Sequence, residues 1–331
     1  VSPTGGGVLN SFGRGFAESK MSKWSFEEEG GFAHGKVELP ESVMVGGDVR
    51  AVGFHRDNGA FSQQRFWLMQ ADGELAWKPT EQITVAGSLG LYEHEVESQR
   101  HYVMYAPTET LSMRVGRFFP AFGIHTPDHA IATKRWLGWN EGKETNNVEV
   151  AWLGDAGEVI VTAAFAAGEE DDGVSPSGDP GLAARGAWYV GDTMQVGLSY
   201  FGGQSALFDR QVAGVFLSAG FAERYFLMTE MDFQTETRTD SDKSLPATRG
   251  TRLRYSRLGW EADQGLLLSL TEEELASDRD SPERDYTAFG AGVQWFPRPH
   301  WELWASWQKR WEDAFDSRFG DMATVMAHYY F

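Results

Sequence analysis

Large apolar side chains recur at every second position along most of this chain. Residues 157–167 place Val159, Val161, Ala163 and Phe165 on one face, and 83–91 do the same with Ile83, Val85, Gly87, Leu89 and Leu91. In 223–234, Tyr225, Leu227, Thr229, Met231 and Phe233 oppose Met228, Glu230, Asp232 and Gln234. Residues 286–296 set Phe289, Ala291, Val293 and Trp295 against Ala288, Gly290, Gly292 and Gln294. Residues 301–310 set Trp301, Leu303, Ala305 and Trp307 against Glu302, Trp304, Ser306, Gln308 and Arg310. In 65–78 the alternation assigns Trp67, Met69, Ala71, Gly73, Leu75 and Trp77 to the apolar face, with Phe66, Leu68, Gln70, Asp72, Glu74 and Ala76 opposite. A period of two is the mark of a strand with two different faces.

Sixteen such segments are predicted: 44–54, 64–78, 82–94, 98–106, 110–118, 146–153, 157–167, 183–190, 193–203, 210–219, 222–235, 250–260, 264–275, 285–296, 300–311 and 320–331. In 250–260 the alternation slips, because Leu253 and Tyr255 are odd while Leu258 and Trp260 are even; a bulge near Ser256–Arg257 restores it. Connections alternate in length. Those at 79–81, 107–109, 154–156, 191–192, 220–221, 261–263 and 297–299 are short, and those at 55–63, 119–145, 168–182, 236–249, 276–284 and 312–319 are longer. The pattern predicts an all-β fold: a transmembrane antiparallel β-barrel over 44–331, with short periplasmic turns and longer extracellular loops. Outward aromatics fall at two depths, with Trp77, Trp152, Trp188, Trp295, Trp301 and Tyr329 near the short turns and Trp67, Phe165, Tyr200 and Phe233 near the other rim. Interfacial girdles explain that placement, whereas a soluble β-sandwich has no use for it.

Composition removes the main competitors. No run of about eighteen apolar residues is present, so no transmembrane helix is expected. The chain has 48 acidic and 29 basic residues and a formal charge of -19, which disfavours nucleic acid as a partner. There is no cysteine, hence no thiolate site or disulfide framework. Residues 1–43 are polar and Gly-rich, without a secretory leader pattern, so an exported chain is expected to be numbered from beyond its leader. That segment, with Phe12, Phe16, Trp24 and Phe32, is expected to plug the periplasmic side, to bind a partner there, or to remain a disordered leader.

The chain ends with Ala323, Val325, Ala327, Tyr329 and Phe331 on one face. It resembles the terminal strand of bacterial outer-membrane β-barrel proteins, whose aromatic last residue implies an insertion signal; here that is Tyr329 and Phe331. A second segment, Met113 to Gly123, is similar to one in porins of the phosphate-selective type, through Gly116, Arg117, Phe118, Pro120, Phe122 and Gly123. This resemblance implies a sixteen-stranded channel. The lysine-rich loop of the phosphate-specific members is missing, since the chain offers little beyond Lys134, Arg135 and Lys143, so phosphate selectivity is not implied.

Sixteen strands tilted by roughly 40° enclose a cylinder about 32 Å across, too wide for side chains alone to fill. Parity places Asp48, Asp72, Glu74, Glu149, Glu158, Glu230, Asp232, Glu273 and Glu302 on the lumen face. It places Arg50, Lys78, Arg114, Arg185, Arg252, Arg254 and Arg310 there too, with Arg252 and Arg254 as the best local anion contact. Such a lining either sets up a transverse field for solutes or neutralises itself. Arg117 has outward parity. The long 119–145 connection is expected to fold into the outer mouth as a constriction, anchored by Phe122, Trp136 and Trp139 and exposing Lys134 and Arg135, rather than to cap the outside.

Chemistry beyond transport finds little support. His101, His125, His129 and Ser112 have no distinctive spacing, so no enzyme is expected. Pro127 keeps His125, Asp128 and His129 off one helical face, and the Glu169, Glu170, Asp171, Asp172 and Asp179 loop lacks the ordered spacing of a calcium site, so no metal or other cofactor is expected. Two functions remain. One is a porin-like channel for passive diffusion of small hydrophilic solutes or ions in a Gram-negative outer membrane. The other is a structural barrel that encloses or anchors a lipoprotein, cytochrome or secretion component, favoured by apolar groups on the supposed lumen face: Phe66, Leu68, Trp304, Met322, Met326 and Tyr330. Expected partners are outer-membrane lipid and lipopolysaccharide, the barrel-insertion machinery, and either a periplasmic or lipoprotein partner or further copies as a trimer, for which Gly47, Ala51, Gly87 and Gly186 offer small outward residues.

Overall fold

The computed structural model of the protein describes residues 21–24, 39–59, 62–92, 95–98, 100–124, 131–139, 144–165, 180–204, 208–239, 248–277, 285–312 and 318–331. The strands are β1 (Val43–Asp57), β2 (Ser62–Trp77), β3 (Ile83–Tyr92), β4 in two pieces (Glu95–Glu97 and His101–Tyr105), β5 (Leu111–Phe118), β6 (Thr145–Gly154), β7 (Gly157–Phe165) and β8 (Gly181–Val190). They continue as β9 (Met194–Gln204), β10 (Phe208–Phe221), β11 (Tyr225–Arg238), β12 (Thr248–Asp263), β13 (Leu266–Ser277), β14 (Tyr286–Trp295), β15 (Trp301–Glu312) and β16 (Arg318–Tyr330). Each strand pairs antiparallel with its sequence neighbour, and both pieces of β4 pair with β3.

Closure comes from β1, which pairs with both β2 and β16. Val49 lies opposite Tyr329, and Phe331 and Gly47 exchange both backbone hydrogen bonds at 3.0 and 3.1 Å. A closed ladder leaves no edge of unpaired N–H and C=O groups, the condition for a sheet to cross hydrocarbon. Gly47 is needed at this seam, because a Cβ there would sit 2.8 Å from the Phe331 ring and would also meet the Asp72 carbonyl.

The apolar face looks outward. Leu89 and Leu270 are each 61% exposed, and Val85, Val148, Val159, Val161, Leu198, Val215 and Val325 are exposed with them. An apolar surface of that extent is unstable in water and natural in lipid. At the short-turn rim Phe221, Tyr225 and Trp260 stack in a row at 5.7 and 6.4 Å, and Trp301 lies against Tyr329 at 5.1 Å, an interfacial girdle.

Two local expectations fail. In β2 the register shifts opposite Arg50 and Ala51, whose partners are Gln70 and Leu68, so Met69 is bulged out. Parity inverts beyond it. Phe66 and Leu68 point outward, 76% and 43% exposed, while Trp67 turns inward onto Phe54 at 5.7 Å. In β12 the expected bulge at Ser256–Arg257 is absent, since pairing with β11 runs unbroken from Thr237–Thr248 to Tyr225–Trp260. Leu253 and Tyr255 therefore face inward, 1% exposed each, and Arg252 and Arg254 face out.

Of the N-terminal segment, 21–24 lies along the short-turn rim. Lys23 and Trp24 donate their N–H groups to the Phe296 and Pro297 carbonyls, and Gln264 donates to the Ser22 carbonyl at 2.8 Å. The remainder of the expected plug, 1–20 and 25–38, lies outside the described residues, as do His125, Asp128, His129 and the acidic residues 169–172 and 179.

Candidate functional site

Phe119–Ile124 and Ile131–Trp139 of the long connection run inside the barrel. Phe122, Ala132 and Leu137 form one apolar cluster with Ala183, Phe201, Val212, Leu253, Leu275, Tyr286 and Ala288, which belong to β8, β9, β10, β12, β13 and β14. Ala121 packs on Ala151 and Ile160, and Ile124 on Ala187 and Phe216. A segment can touch strands from β6 to β14 only from their concave side. Phe122 lies on Trp139 at 4.3 Å, and Trp139 meets Phe201 edge-on at 5.5 Å.

The wall holds this segment by its backbone. Gly123 N–H donates to Ser199 Oγ at 2.8 Å, and Arg185 Nε donates to the Gly123 carbonyl at 2.8 Å. Ile124 N–H donates to Glu230 Oε2 at 2.8 Å, Ala132 N–H to Glu273 Oε2 at 3.1 Å, and Arg210 Nη1 to the Leu137 carbonyl at 2.8 Å. Ala121 N–H reaches Thr162 Oγ1 at 3.5 Å. A loop without strand or long helix must place its buried backbone polar groups somewhere, and here the barrel's side chains receive them. Gly123 has φ +60° and abuts the Glu230 carboxylate, so a side chain at this position collides with the group that anchors the next residue.

The residues expected to form the constriction divide. Phe122 and Trp139 are anchors, joined by Ile131 and Leu137, 2% and 0% exposed. Trp136 is 38% exposed, with Arg135 over its ring at 5.9 Å, and lies outside the apolar clusters that hold the described part of the loop. Lys134 does not face a path. It is buried, donates from Nζ to the Phe122 carbonyl at 3.0 Å and sits 3.7 Å from Glu230 Oε1. The helical turn Ala132–Arg135 points Lys134 at the wall and Arg135 away from it.

The expected lining residues fall into three groups. Arg185, Glu230 and Asp232 lie beneath the loop, with Arg185 also paired to Glu158, which accepts from Tyr189 and Gln195 at 3.1 and 3.2 Å. Arg114 and Glu149 form a buried pair at 2.9 Å, with Thr162 donating to Glu149 and the Phe118 ring 3.6 Å from the guanidinium. Asp48, Arg50, Asp72, Glu74 and Glu302 lie on the wall away from the loop, while Arg310 lies at the loop's edge, its guanidinium 5.4 Å from the Tyr286 ring of the loop's cluster. On that wall, polar side chains join in a hydrogen-bonded and ion-paired belt, with separate pairs beside it. Gln70 donates to Asp48 and Asp72 at 3.3 Å, and Arg50 pairs with Asp48 at 3.2 Å. His328 stands 3.8 Å from Asp48 and 2.8 Å from Glu302, and Gln294 donates to Glu302 at 2.6 Å while accepting from Arg257 at 3.1 Å. Arg100 pairs with Glu74 at 2.8 Å, and Arg310 donates to Gln308. Gln70, His328, Gln294, Arg257 and Arg100 were not singled out from the sequence; inward parity marks all but Arg100 and Arg257, which lie where the strand pattern is broken.

Arg252 and Arg254 are not in the lumen. They pair with Glu272 and Glu274 on the outer face of β12 and β13. The unbroken β12 register decides this, because their parity matches outward Leu258 and Trp260.

Fold and lumen together define a sixteen-stranded transmembrane β-barrel with a loop fastened to its inner wall. No family model matches the sequence, and no curated protein does. Among solved structures, the anion-selective porin from Comamonas acidovorans superposes with a TM-score of 0.68 at 11% identity, over 88% of this chain and 99% of that one. OmpT of Vibrio cholerae, in its trimer form, gives 0.67 at 9% identity over 87% and 99%, and the outer-membrane channel DcaP of Acinetobacter baumannii 0.63 at 13% over 87% and 97%. The fold is that of the outer-membrane porins of Gram-negative bacteria.

Proposed function

We propose that the protein is a non-enzymatic outer-membrane channel for passive diffusion of small hydrophilic solutes or ions, with its short turns in the periplasm and the inner loop as its constriction. The observation that supports this most directly is the division of the lumen wall. Strands β6 to β14 are covered by the loop, while the opposite wall carries the hydrogen-bonded belt around Asp48, Arg50, Glu302 and His328, whose side chains keep 12 to 16% of their surface exposed. A polar strip facing a loop-covered wall suits a water-filled passage. Phosphate selectivity forms no part of the reading, and a trimer is its natural assembly by likeness of fold. Purified protein in a planar bilayer should give discrete conductance steps. Their absence, also from a variant lacking 1–43, would rule the channel out.

The structural-barrel alternative now rests on fewer residues. Of the apolar groups expected on the lumen face, Phe66 and Leu68 face outward, leaving Trp304, Met322, Met326 and Tyr330. Mass spectrometry after gentle detergent extraction separates the two readings, because the alternative requires a stoichiometric protein partner.

A further inference from the structure

We propose that Arg252 and Arg254 form an outer-surface site for the phosphate of an anionic lipid headgroup. The inference rests on the outer-membrane placement proposed above but not on conduction. Both arginines project from the lipid-facing side of β12, where two arginines and two glutamates interrupt an apolar face. Trp260, in the aromatic girdle of the short-turn rim, lies on the same face of the same strand. At about 2.5 Å of height per residue in a strand tilted by roughly 40°, Arg254 and Arg252 stand about 15 and 20 Å above it. The apolar band of such barrels is about 25 Å tall, so the long arginine side chains reach its far boundary, where headgroups begin.

The two signs are not equally presented. The side chains of Arg252 and Arg254 are 49% and 34% exposed, against 18% for Glu274 and 28% for Glu272. The guanidinium groups are the more exposed part of the cluster, Arg252 most of all. Each arginine engages its glutamate partners through Nη2. Guanidinium N–H groups turned toward a membrane need acceptors that acyl chains do not supply, whereas phosphate oxygens match the guanidinium fork. Below the pair, Leu270 and Leu258 are 61% and 43% exposed and provide a surface for the attached acyl chain.

The test uses the full chain in detergent, with retained lipid counted by native mass spectrometry after incubation with lipid A, phosphatidylglycerol or phosphatidylcholine. The native protein is expected to retain lipid A and phosphatidylglycerol over zwitterionic phosphatidylcholine. An Arg252→Gln/Arg254→Gln variant that keeps the heat-modifiable gel migration of a closed barrel should lose that retention by about tenfold, the scale of a charge-assisted hydrogen bond. A Glu272→Gln/Glu274→Gln variant, which unmasks both arginines, should retain more lipid A. Equal retention of the three lipids overturns the proposal, as does unchanged retention in the arginine variant. Loss of self-association in place of lipid would identify a protein contact and also overturn it. Where the arginine variant does not assemble, failure of the glutamate variant to gain lipid is decisive by itself. Lipid retention is read without current, so a barrel that binds but does not conduct refutes the channel and leaves this site standing.

Discussion

Glu230 accepts the Ile124 backbone N–H at 2.8 Å across 106 residues of sequence, and Gly123 packs directly against the same carboxylate. One wall residue thus fixes the loop's backbone and forbids a side chain beside it. Gly123→Ala places a Cβ on Glu230 and strains a φ of +60° by about 1 kcal/mol before any clash is counted. The barrel ladder does not depend on this contact, so heat-modifiable migration should persist. Single-channel recordings should show a larger and noisier conductance, and the 119–145 connection should become sensitive to protease. A silent substitution would show that the loop does not narrow the path.

Lys134 and Arg135 are adjacent but should behave differently. Lys134→Met leaves Glu230 buried without its cation, and breaking a buried pair costs roughly 3–5 kcal/mol, so this variant should release the loop as Gly123→Ala does. Arg135→Gln removes an exposed charge and should leave the loop in place while shifting the reversal potential in a salt gradient toward cations. A selectivity change from Lys134→Met with no change in conductance would contradict the buried position of its ammonium.

Deleting 121–143 and bridging with a short Gly/Ser link tests the loop as a whole. The wall groups that held it, Arg185, Arg210, Glu230 and Glu273, would then face water, which solvates them. Assembly should survive, and conductance should rise several-fold. Failure to assemble would mean that the loop is part of the folding core rather than an insert.

The barrel was legible in the sequence because lipid imposes one rule on every strand: outward residues are apolar, and connections alternate in length. That rule says nothing of the inner face where a loop packs on it. The rule assigns Leu253 and Tyr255 outward because they are apolar, yet they are apolar because Phe122, Leu137 and their neighbours make a second core there. Arg252 and Arg254 were misplaced by the same assumption. The β2 bulge was hidden because Phe66, Trp67, Leu68 and Met69 are all apolar, so neither parity left a trace. Among the lining residues, inward parity identified Asp48, Arg50, Glu149 and Glu302 by position. It could not show that Arg185 and Glu230 serve the loop, since a hydrogen bond between segments 62 or 106 residues apart has no local signature.

The inverted parity of β2 gives a test that needs no functional assay. The protein has no cysteine, so any introduced thiol is unique. A fluorophore attached at Phe66→Cys or Leu68→Cys should sit among acyl chains and be quenched by nitroxide-bearing lipids but poorly by aqueous iodide. At Trp67→Cys the order should reverse, because that side chain lies inside the barrel against Phe54, with Arg65 4.8 Å above its ring. An unbroken alternation requires the opposite pattern at all three sites, since Met69 would then take its place in the ladder. The same pair of quenchers at Arg252→Cys and Leu253→Cys examines β12, where the continuous register puts residue 252 in lipid and 253 in the lumen. A lumenal response at 252 would restore the bulge at Ser256–Arg257 and return both arginines to the passage. It would also remove the lipid site, because a phosphate headgroup cannot be held by side chains on the far side of the wall.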